Sequence, residues 1–329
     1  MHKRLFLTTL AAGLLSATAL PGALAQDGFP SRNVRWIVPY AAGGGSDFLA
    51  RTIGQAWGGQ VHQPIVVDNR PGGNTAIGAS ETARAAADGY TVLSADNGTL
   101  VFNPVLYKSL SYNPARDLAP VTLMGRFPMI LVAGPGMAAA TAKDFLAQAR
   151  TSKDGVNYAS AGAGSPHHLA MELLRVEAGL KLVHAPYKGA APAMTDVISG
   201  QVDAMFDQTN TALPQLAGER IRAIALTSDK PMPQFPGAAA LGQKLLPGFE
   251  TATWYGIYAP KGTPRDVVQK VYQAYTKALA DKAWTDRMAA QGIRLLPADQ
   301  YAPEALARHT AAEVERWRKV AADAKISLD

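Results

Sequence analysis

Val34-Arg35-Trp36-Ile37-Val38-Pro39-Tyr40-Ala41-Ala42-Gly43-Gly44-Gly45-Ser46-Asp47-Phe48-Leu49-Ala50 reads in order as a strand, a glycine-rich turn and the opening of a helix. Val34 to Val38 is an apolar, β-branched and aromatic run of strand length. Asp47 to Trp57 has helical character, and Ser46 or Asp47 suits the cap of that helix. Three successive glycines let backbone pass close to a ligand, because no Cβ stands in the way.

The same grammar repeats downstream. Ile65 to Asp68 reads as a strand, Asn69-Arg70-Pro71-Gly72-Gly73-Asn74-Thr75 as a turn, Thr75 to Ala87 as a helix and Tyr90 to Ala95 as a strand. That is a βαβαβ unit, which implies a parallel sheet. A second set follows: strands at Met129 to Ala133, Val156 to Ala159, Lys181 to Val183 and Val202 to Phe206, alternating with helices at Lys143 to Arg150, Pro166 to Ala178 and Ala191 to Ser199. Between Val156 and Ala178 lies Ser160-Ala161-Gly162-Ala163-Gly164-Ser165-Pro166-His167-His168, where Ser165 fits the N-cap and Pro166 the first helical position. Two similar units imply two lobes.

In the last third, Trp254 to Ala259 reads as a strand. Arg265 to Ala280 places Val267, Val268, Val271, Tyr272, Tyr275 and Leu279 on one helical face, and Pro303 to Ala324 is a second long helix. Neither buries its apolar stripe alone, so the chain is expected to return at Thr253 to complete the first lobe. The expected division is 26–125 plus 253–329 for one lobe and 126–252 for the other. Two strand-like crossings, near Gly125 and near Thr253, would then form a hinge.

The start of the chain reads differently. Lys3 and Arg4 precede an apolar run from Leu5 to Leu20, and Ala23-Leu24-Ala25 offers small residues before a cleavage point. This pattern is a secretory signal peptide over 1–25, shorter than the roughly 20 apolar residues of a membrane span and broken by Pro21-Gly22. The route of export stays open between the general and the twin-arginine pathways. An export signal places the mature chain in the periplasm. Its length of about 300 residues exceeds what one core usually serves. Cysteine is absent, which removes disulfides, thiolate metal sites and a thiol nucleophile. The formal charge of +6 is scattered, with no basic block suited to a phosphate backbone, so nucleic acid is not an expected partner.

Each glycine loop sets a helix N-terminus at the carboxyl edge of a strand, where open α/β sheets bind ligands. Unpaired N–H groups and the positive dipole end there suit an anion. Any one loop alone is equally a tight strand-to-helix turn; three, split between lobes, point to a cleft. The first loop lacks the Lys-Ser/Thr of a P-loop and, counted from Gly43, has Phe48 at the third glycine position of a dinucleotide fold. No Gly-x-Ser-x-Gly elbow is present. His167 and His168 point about 100° apart on a helix, so they do not clamp a metal. No cofactor and no metal are expected. His168 is either a first-turn group near the cleft that positions ligand or loop, or a satisfied buried histidine. Asp203 and Asp207 share a strand face; Asp207, at the strand's end, is the candidate near the ligand, and Asp203 the surface or structural carboxylate.

Six ordered motifs carry a family resemblance. They are Val38 to Asp47, Asn69 to Asn74, Tyr158 to Ser165 with His168-Leu169-Ala170, Pro186-Tyr187-Lys188-Gly189 with Ala190-Ala191-Pro192-Ala193, Gly200 to Asp207, and Trp254-Tyr255-Gly256 with Ala259 to Pro264. Over nearly the whole mature chain the sequence resembles the Bug family, extracytoplasmic solute receptors of tripartite tricarboxylate transporters. The resemblance implies a type II periplasmic binding-protein fold that closes on a small carboxylate, be it a di- or tricarboxylate, an acidic amino acid or an aromatic acid. It also implies a monomer that docks on membrane permease subunits, and no catalysis. On that analogy Tyr40, Ala42, Gly43, Gly44 and Asn97 carry one side of the site, and Ser160, Ala161, Gly164, Ser165, His168 and Asp207 the other. Lys188 is a less defined neighbour, and Gln208-Thr209-Asn210 is where ligand choice is expected to vary. The alternatives are a cleft hydrolase or transferase using His168 and Asp207, and a receptor that feeds a two-component sensor.

Overall fold

The computed structural model describes residues 28–323 and Ile326; the export segment at 1–25 lies outside the described residues. In chain order the first elements are β1 (Val34–Val38), α1 (Gly45–Val61), β2 (Ile65–Asn69), α2 (Ala76–Ala83) and β3 (Thr91–Asp96). A π-helical turn (Gly98–Phe102) leads into the short α3 (Asn103–Leu106) and α4 (Pro114–Asp117), and then into the long β4 (Leu118–Ala133). Next come α5 (Ala142–Thr151), β5 (Val156–Ser160), α6 (Pro166–Ala178), β6 (Leu182–Pro186), α7 (Ala190–Ser199), β7 (Ala204–Gln208), α8 (Thr209–Ala217) and β8 (Arg222–Leu226). The two-residue β9 (Ala239–Ala240) and α9 (Leu241–Lys244) precede β10 (Ala252–Pro260), α10 (Arg265–Leu279), α11 (Lys282–Ala290) and α12 (Pro303–Asp323).

The strands hydrogen-bond in the order β2-β1-β3-β10-β4-β7-β5-β6, with β8 on β4. β2, β1 and β3 are parallel, as are β6, β5 and β7. The exceptions are the two crossing strands. β4 is antiparallel to β7 and β8, and β10 is antiparallel to β3. The fold is a two-lobed α/β binding-protein fold, in which the chain leaves one lobe along β4 and returns along β10. These two strands pair with each other from Leu118↔Pro260 to Pro128↔Ala252, with a register break beside Tyr255 and a positive φ of 154° at Gly125.

α10 and α12 back this crossing, as their apolar stripes require. Val267, Val271 and Tyr275 are buried, the Tyr275 hydroxyl donates to the carbonyl of Met124 on β4, and Trp317 of α12 meets Phe102 edge-on at 4.5 Å. Their burial steadies the hinge strands from one side. β4 is far longer than the strand expected at Met129 to Ala133, because Pro120, Gly125 and Pro128 interrupt the sequence pattern of a strand that is nonetheless held by a partner on its other edge. α1 begins at Gly45 with Gly44 as its N-cap, so Ser46 and Asp47 sit inside the first turn instead of capping it. Asp47 accepts hydrogen bonds from the Gly43 amide and from Asn69 Nδ2, each at 3.0 Å, and pairs with Arg51. Burial raises its pKa, but these partners outweigh that and hold it below the ordinary carboxylate value. The first glycine loop is thus tied to the end of β2.

Candidate ligand-binding cleft

The β1–α1 loop and the β5–α6 loop face each other across the seam between the lobes. α1 and α6 each open there, and α6 starts as its sequence predicts, with Ser165 at the N-cap accepting from the His168 amide and Pro166 in the first turn. Contact across the seam is close. The Ala41 amide donates to the Lys188 carbonyl at 3.1 Å. A Cβ on Gly98 would lie 3.2 Å from both the Tyr40 hydroxyl and Pro166 Cδ, and a Cβ on Gly45 would overlap Gln208 Oε1 at 1.8 Å. Glycine at these positions is what allows the two halves to meet.

Between them is a cavity of about 10 Å³, room for about one water. Tyr40, Gly44, Gly45, Ser46 and Tyr255 line it from one lobe, and Ala161, His167, Ala190 and Gln208 from the other. Among the described residues, the amides of Gly44, Gly45, Ala161 and Ala163 have no partner inside the protein. Buried side-chain atoms around the same seam also lack partners: Ser46 Oγ, Asn97 Oδ1, both ring nitrogens of His167, Asp207 Oδ1, Gln208 Oε1, Thr209 Oγ1 and Asn210 Oδ1. A buried polar atom left unpaired costs about 1–3 kcal/mol. A concentration of them at one seam is the mark of a site that something else completes.

The surrounding polar groups are fixed more firmly. The Tyr40 hydroxyl donates to Asp96 Oδ2 at 2.7 Å, and Thr99 donates to Asp96 Oδ1 through its amide and its hydroxyl at 2.8 Å each. Burial pushes the Asp96 carboxyl and the Tyr40 and Tyr255 phenols upward. Gln208 Nε2 donates to the Tyr255 hydroxyl at 2.5 Å. Phenols held neutral in this way present hydroxyls and no charge. Among the described residues, no group of three or more His, Asp or Glu side chains is placed to hold a metal ion.

The structure distributes the sequence candidates unevenly. Tyr40, Gly44 and Ala161 line the cavity. Asn97 is buried at the end of β3, where Nδ2 donates to the Ala252 carbonyl at 3.1 Å and Oδ1 stays unpaired. Asp207 Oδ2 accepts from Thr211, while Oδ1 sits 3.5 Å from His167 Nε2, too long for a good hydrogen bond. Ala42 and Gly43 are exposed instead, and the Gly43 amide is spent on Asp47.

Ser160, Gly164, Ser165 and His168 build the loop and do not line the cavity. Ser160 Oγ lies 2.6 Å from His184 Nε2, the Gly164 amide donates to His168 Nδ1 at 2.9 Å, and Ser165 caps α6. The His168 ring stacks on His184 at 4.0 Å, with Tyr158 beyond. His168 is thus a buried histidine with a satisfied Nδ1, and the group it satisfies is the amide of its own loop. The histidine facing the cavity is His167, which sequence reasoning passed over. Periodicity separates the two rings by about 100° but does not say which one faces the seam. Tyr255 was also missed, although it lies within a quoted motif, and Gln208 was named only as part of the segment where ligand choice is expected to vary. Asp203 is structural, its carboxylate accepting from the Asn157 amide at 2.8 Å.

The sequence profile of the tripartite tricarboxylate transporter family receptor matches residues 49–325. The chain belongs to this receptor family. Its solved relatives share the whole architecture. The periplasmic binding protein BugD is 33% identical, with a TM-score of 0.86 and coverage of 91% of this chain and 99% of BugD. A Rhodopseudomonas palustris protein solved with adipate is 32% identical at a TM-score of 0.86, covering 91% and 99%. MatC of the same organism, solved with malate, is 32% identical at 0.85, covering 89% and 99%. A family receptor of this kind is a solute-binding protein and not an enzyme, which removes the hydrolase and transferase alternative. Among the described residues no helix is long and apolar enough to cross a membrane.

Proposed function

We propose that this receptor captures a small carboxylate between its lobes in the periplasm, as a monomer, and presents it to the membrane permease subunits of a tripartite tricarboxylate transporter. Residues 1–25 direct export and are removed. The lobes are 26–125 with 253–329, and 126–252. The observation that carries the reading is the set of unpartnered buried groups at the seam, from Ser46, His167, Asp207 and Gln208, beside the free amides of Gly44, Gly45, Ala161 and Ala163. The free amides, with Ser46 and His167, can donate, whereas Asp207 Oδ1 and Gln208 Oε1 can only accept, and no Lys or Arg lines the cavity, so a carboxylate here would be held by the neutral donors. Relatives solved with adipate and malate support that class.

Tyr40, Gly44, Gly45 and Asn97 would serve from the first lobe. Ala161, Ala163, His167 and Asp207 would serve from the second, with Ser160, Gly164, Ser165 and His168 shaping the loop. A cavity of about 10 Å³ does not admit such a ligand, so the lobes must part to load it. The ligand stabilises the closed population only by contacts that the open one lacks, and a micromolar receptor gains about −8 kcal/mol from binding.

The test is a thermal-shift screen of the mature protein against dicarboxylates, tricarboxylates, acidic amino acids and benzoate-type acids. One class is expected to raise Tm by several degrees at millimolar concentration and to emerge unchanged from the incubation. Absence of any shift across all four classes would refute the carboxylate assignment.

A further inference from the structure

His167, in the wall of the small cavity, is 3% exposed, and neither of its ring nitrogens has a hydrogen-bond partner. Asp207 on β7 faces it without completing it: Oδ1 lies 3.5 Å from His167 Nε2 and is itself unpaired, while Oδ2 accepts from Thr211. A second buried acid, Asp96 at the end of β3, is within electrostatic reach of the ring. Its carboxyl is fixed by the Tyr40 hydroxyl and by Thr99. From the β1–α1 loop and from β10, Tyr40 and Tyr255 share the cavity wall, their phenols held neutral by burial. On α6 itself, His168 turns away into its stack with His184. No Lys or Arg is in the lining.

A neutral imidazole offers one donor and one acceptor nitrogen, and an imidazolium offers two donors. In the unloaded seam one nitrogen of His167 can stay bare. With a ligand carboxylate in the cavity the ring stands between two acceptors, Asp207 Oδ1 and a ligand oxygen, and only the doubly protonated ring donates to both. The charge balance leads the same way. A carboxylate brings negative charge into a closed space that already contains two carboxyls and no basic side chain, and a buried charge without compensation is costly. A proton on His167 compensates it on the spot. Histidine is the side chain that can take up that proton near neutral pH.

We propose that carboxylate capture takes up one proton on His167, so that the receptor binds anion and proton together and its affinity rises as pH falls. The inference rests on the carboxylate-receptor reading above. The proton comes from solvent and adds to the bare ring nitrogen. One N–H then turns to Asp207 Oδ1 and the other to the ligand as charge-assisted hydrogen bonds, and no bond of the ligand breaks. On release the proton returns to solvent. At equal solute concentration, an acidic exterior loads the receptor more fully than an alkaline one.

Calorimetry on the mature protein at about pH 7.5, above the range of ordinary carboxyls, tests this with malate, adipate, citrate, glutamate and benzoate as probes. Each titration is repeated in phosphate, HEPES and Tris, whose ionisation enthalpies differ. For the wild type the heat should vary with buffer as uptake of more than about half a proton per bound ligand requires, and affinity should fall about three- to tenfold per pH unit above neutrality. His167→Gln keeps a neutral donor and should bring the uptake close to zero and flatten the pH profile. Nuclear magnetic resonance of the isotope-labelled histidines of the wild type reads the ring directly: the signals that His167→Gln lacks should change from neutral to doubly protonated imidazole when a probe saturates the protein. Heats independent of buffer, uptake that persists in His167→Gln, or a His167 ring unchanged on loading would overturn the proposal and leave the receptor reading standing. Failure of the wild type to bind any of the five probes would overturn both together.

Discussion

The Ala41 amide and the Lys188 carbonyl, 3.1 Å apart on opposite lobes, join the two halves by backbone alone. Such a contact carries no side-chain chemistry to mutate, but it depends on the residue beside it. A Cβ on Gly189 would lie 3.1 Å from Ala41 Cβ and 3.2 Å from its amide nitrogen, tighter than ordinary contact.

Gly189→Val should therefore hold the lobes apart without unfolding either one. Affinity for the best carboxylate of the thermal-shift screen is expected to fall about tenfold, which is about 1.4 kcal/mol, and the ligand-free Tm is expected to fall as well, because valine is strained at the positive φ of 157° that Gly189 adopts. Calorimetry and a melting curve check both halves of the statement. An unaltered affinity would mean that the Ala41–Lys188 contact plays no part in closure.

Gly45→Ala separates helix stability from closure more sharply. Alanine in place of glycine inside a helix is favourable by up to about 1 kcal/mol, yet the added methyl would overlap Gln208 Oε1. The ligand-free protein should be as stable as wild type or more so, while affinity drops at least about tenfold. Pairing it with Gln208→Ala should recover part of the loss, giving a non-zero interaction energy in a double-mutant cycle.

The two-lobe architecture was legible because the β-strand, glycine loop and helix recur with regular spacing and because α10 and α12 carry stripes that need a partner. β4 was less legible. Its prolines and Gly125 look like turn signals, and only pairing with β10 makes a 16-residue strand of them. β8 went unread, since Arg222–Leu226 is a short run with little to mark it off from loop. In the site, the glycines announced close backbone approach, and Tyr40, Gly44 and Ala161, named from the family resemblance, line the small cavity at the seam. What a sequence withholds is the direction of a side chain about its helix or strand. His167 and His168 are adjacent, and the rotation that turns one to the seam and the other into a stack with His184 is set by how α6 packs.

Those two histidines should accordingly differ under mutation. His167→Ala removes a ring whose nitrogens have no partner in the protein, so stability should hold or rise slightly while ligand affinity falls by about 1–3 kcal/mol. His168→Ala removes the acceptor for the Gly164 amide and the stack on His184. It should lower the ligand-free Tm. Equal effects of both on Tm would contradict the assignment of roles.

The stacked pair also sets a pH response. Burial, with the neighbouring His184 and Arg175 adding to it, holds His168 down at about 3, and burial holds His184 down at about 4, against 6.5 for a free histidine. Both are neutral in the folded protein where the unfolded chain already takes up protons. Stability is thus fully present above pH 6.5 and is lost as pH falls from there towards about 4 for His184 and about 3 for His168. The slope is about 1.4 kcal/mol per pH unit for the buried His168. Denaturant unfolding between pH 7 and pH 4 should show this decline, and His168→Gln should reduce its slope. A flat profile, or an identical slope in the variant, would argue against it.

The most direct measurement of the central idea is the distance, in a crystal structure grown with the best carboxylate of the thermal-shift screen, between a ligand carboxylate and the amides of the two glycine loops. The account predicts oxygens within about 3.2 Å of the Gly44 or Gly45 nitrogen on one lobe and of Ala161 or Ala163 on the other. A ligand seated on a single lobe, or one whose carboxylates contact neither loop, would contradict it.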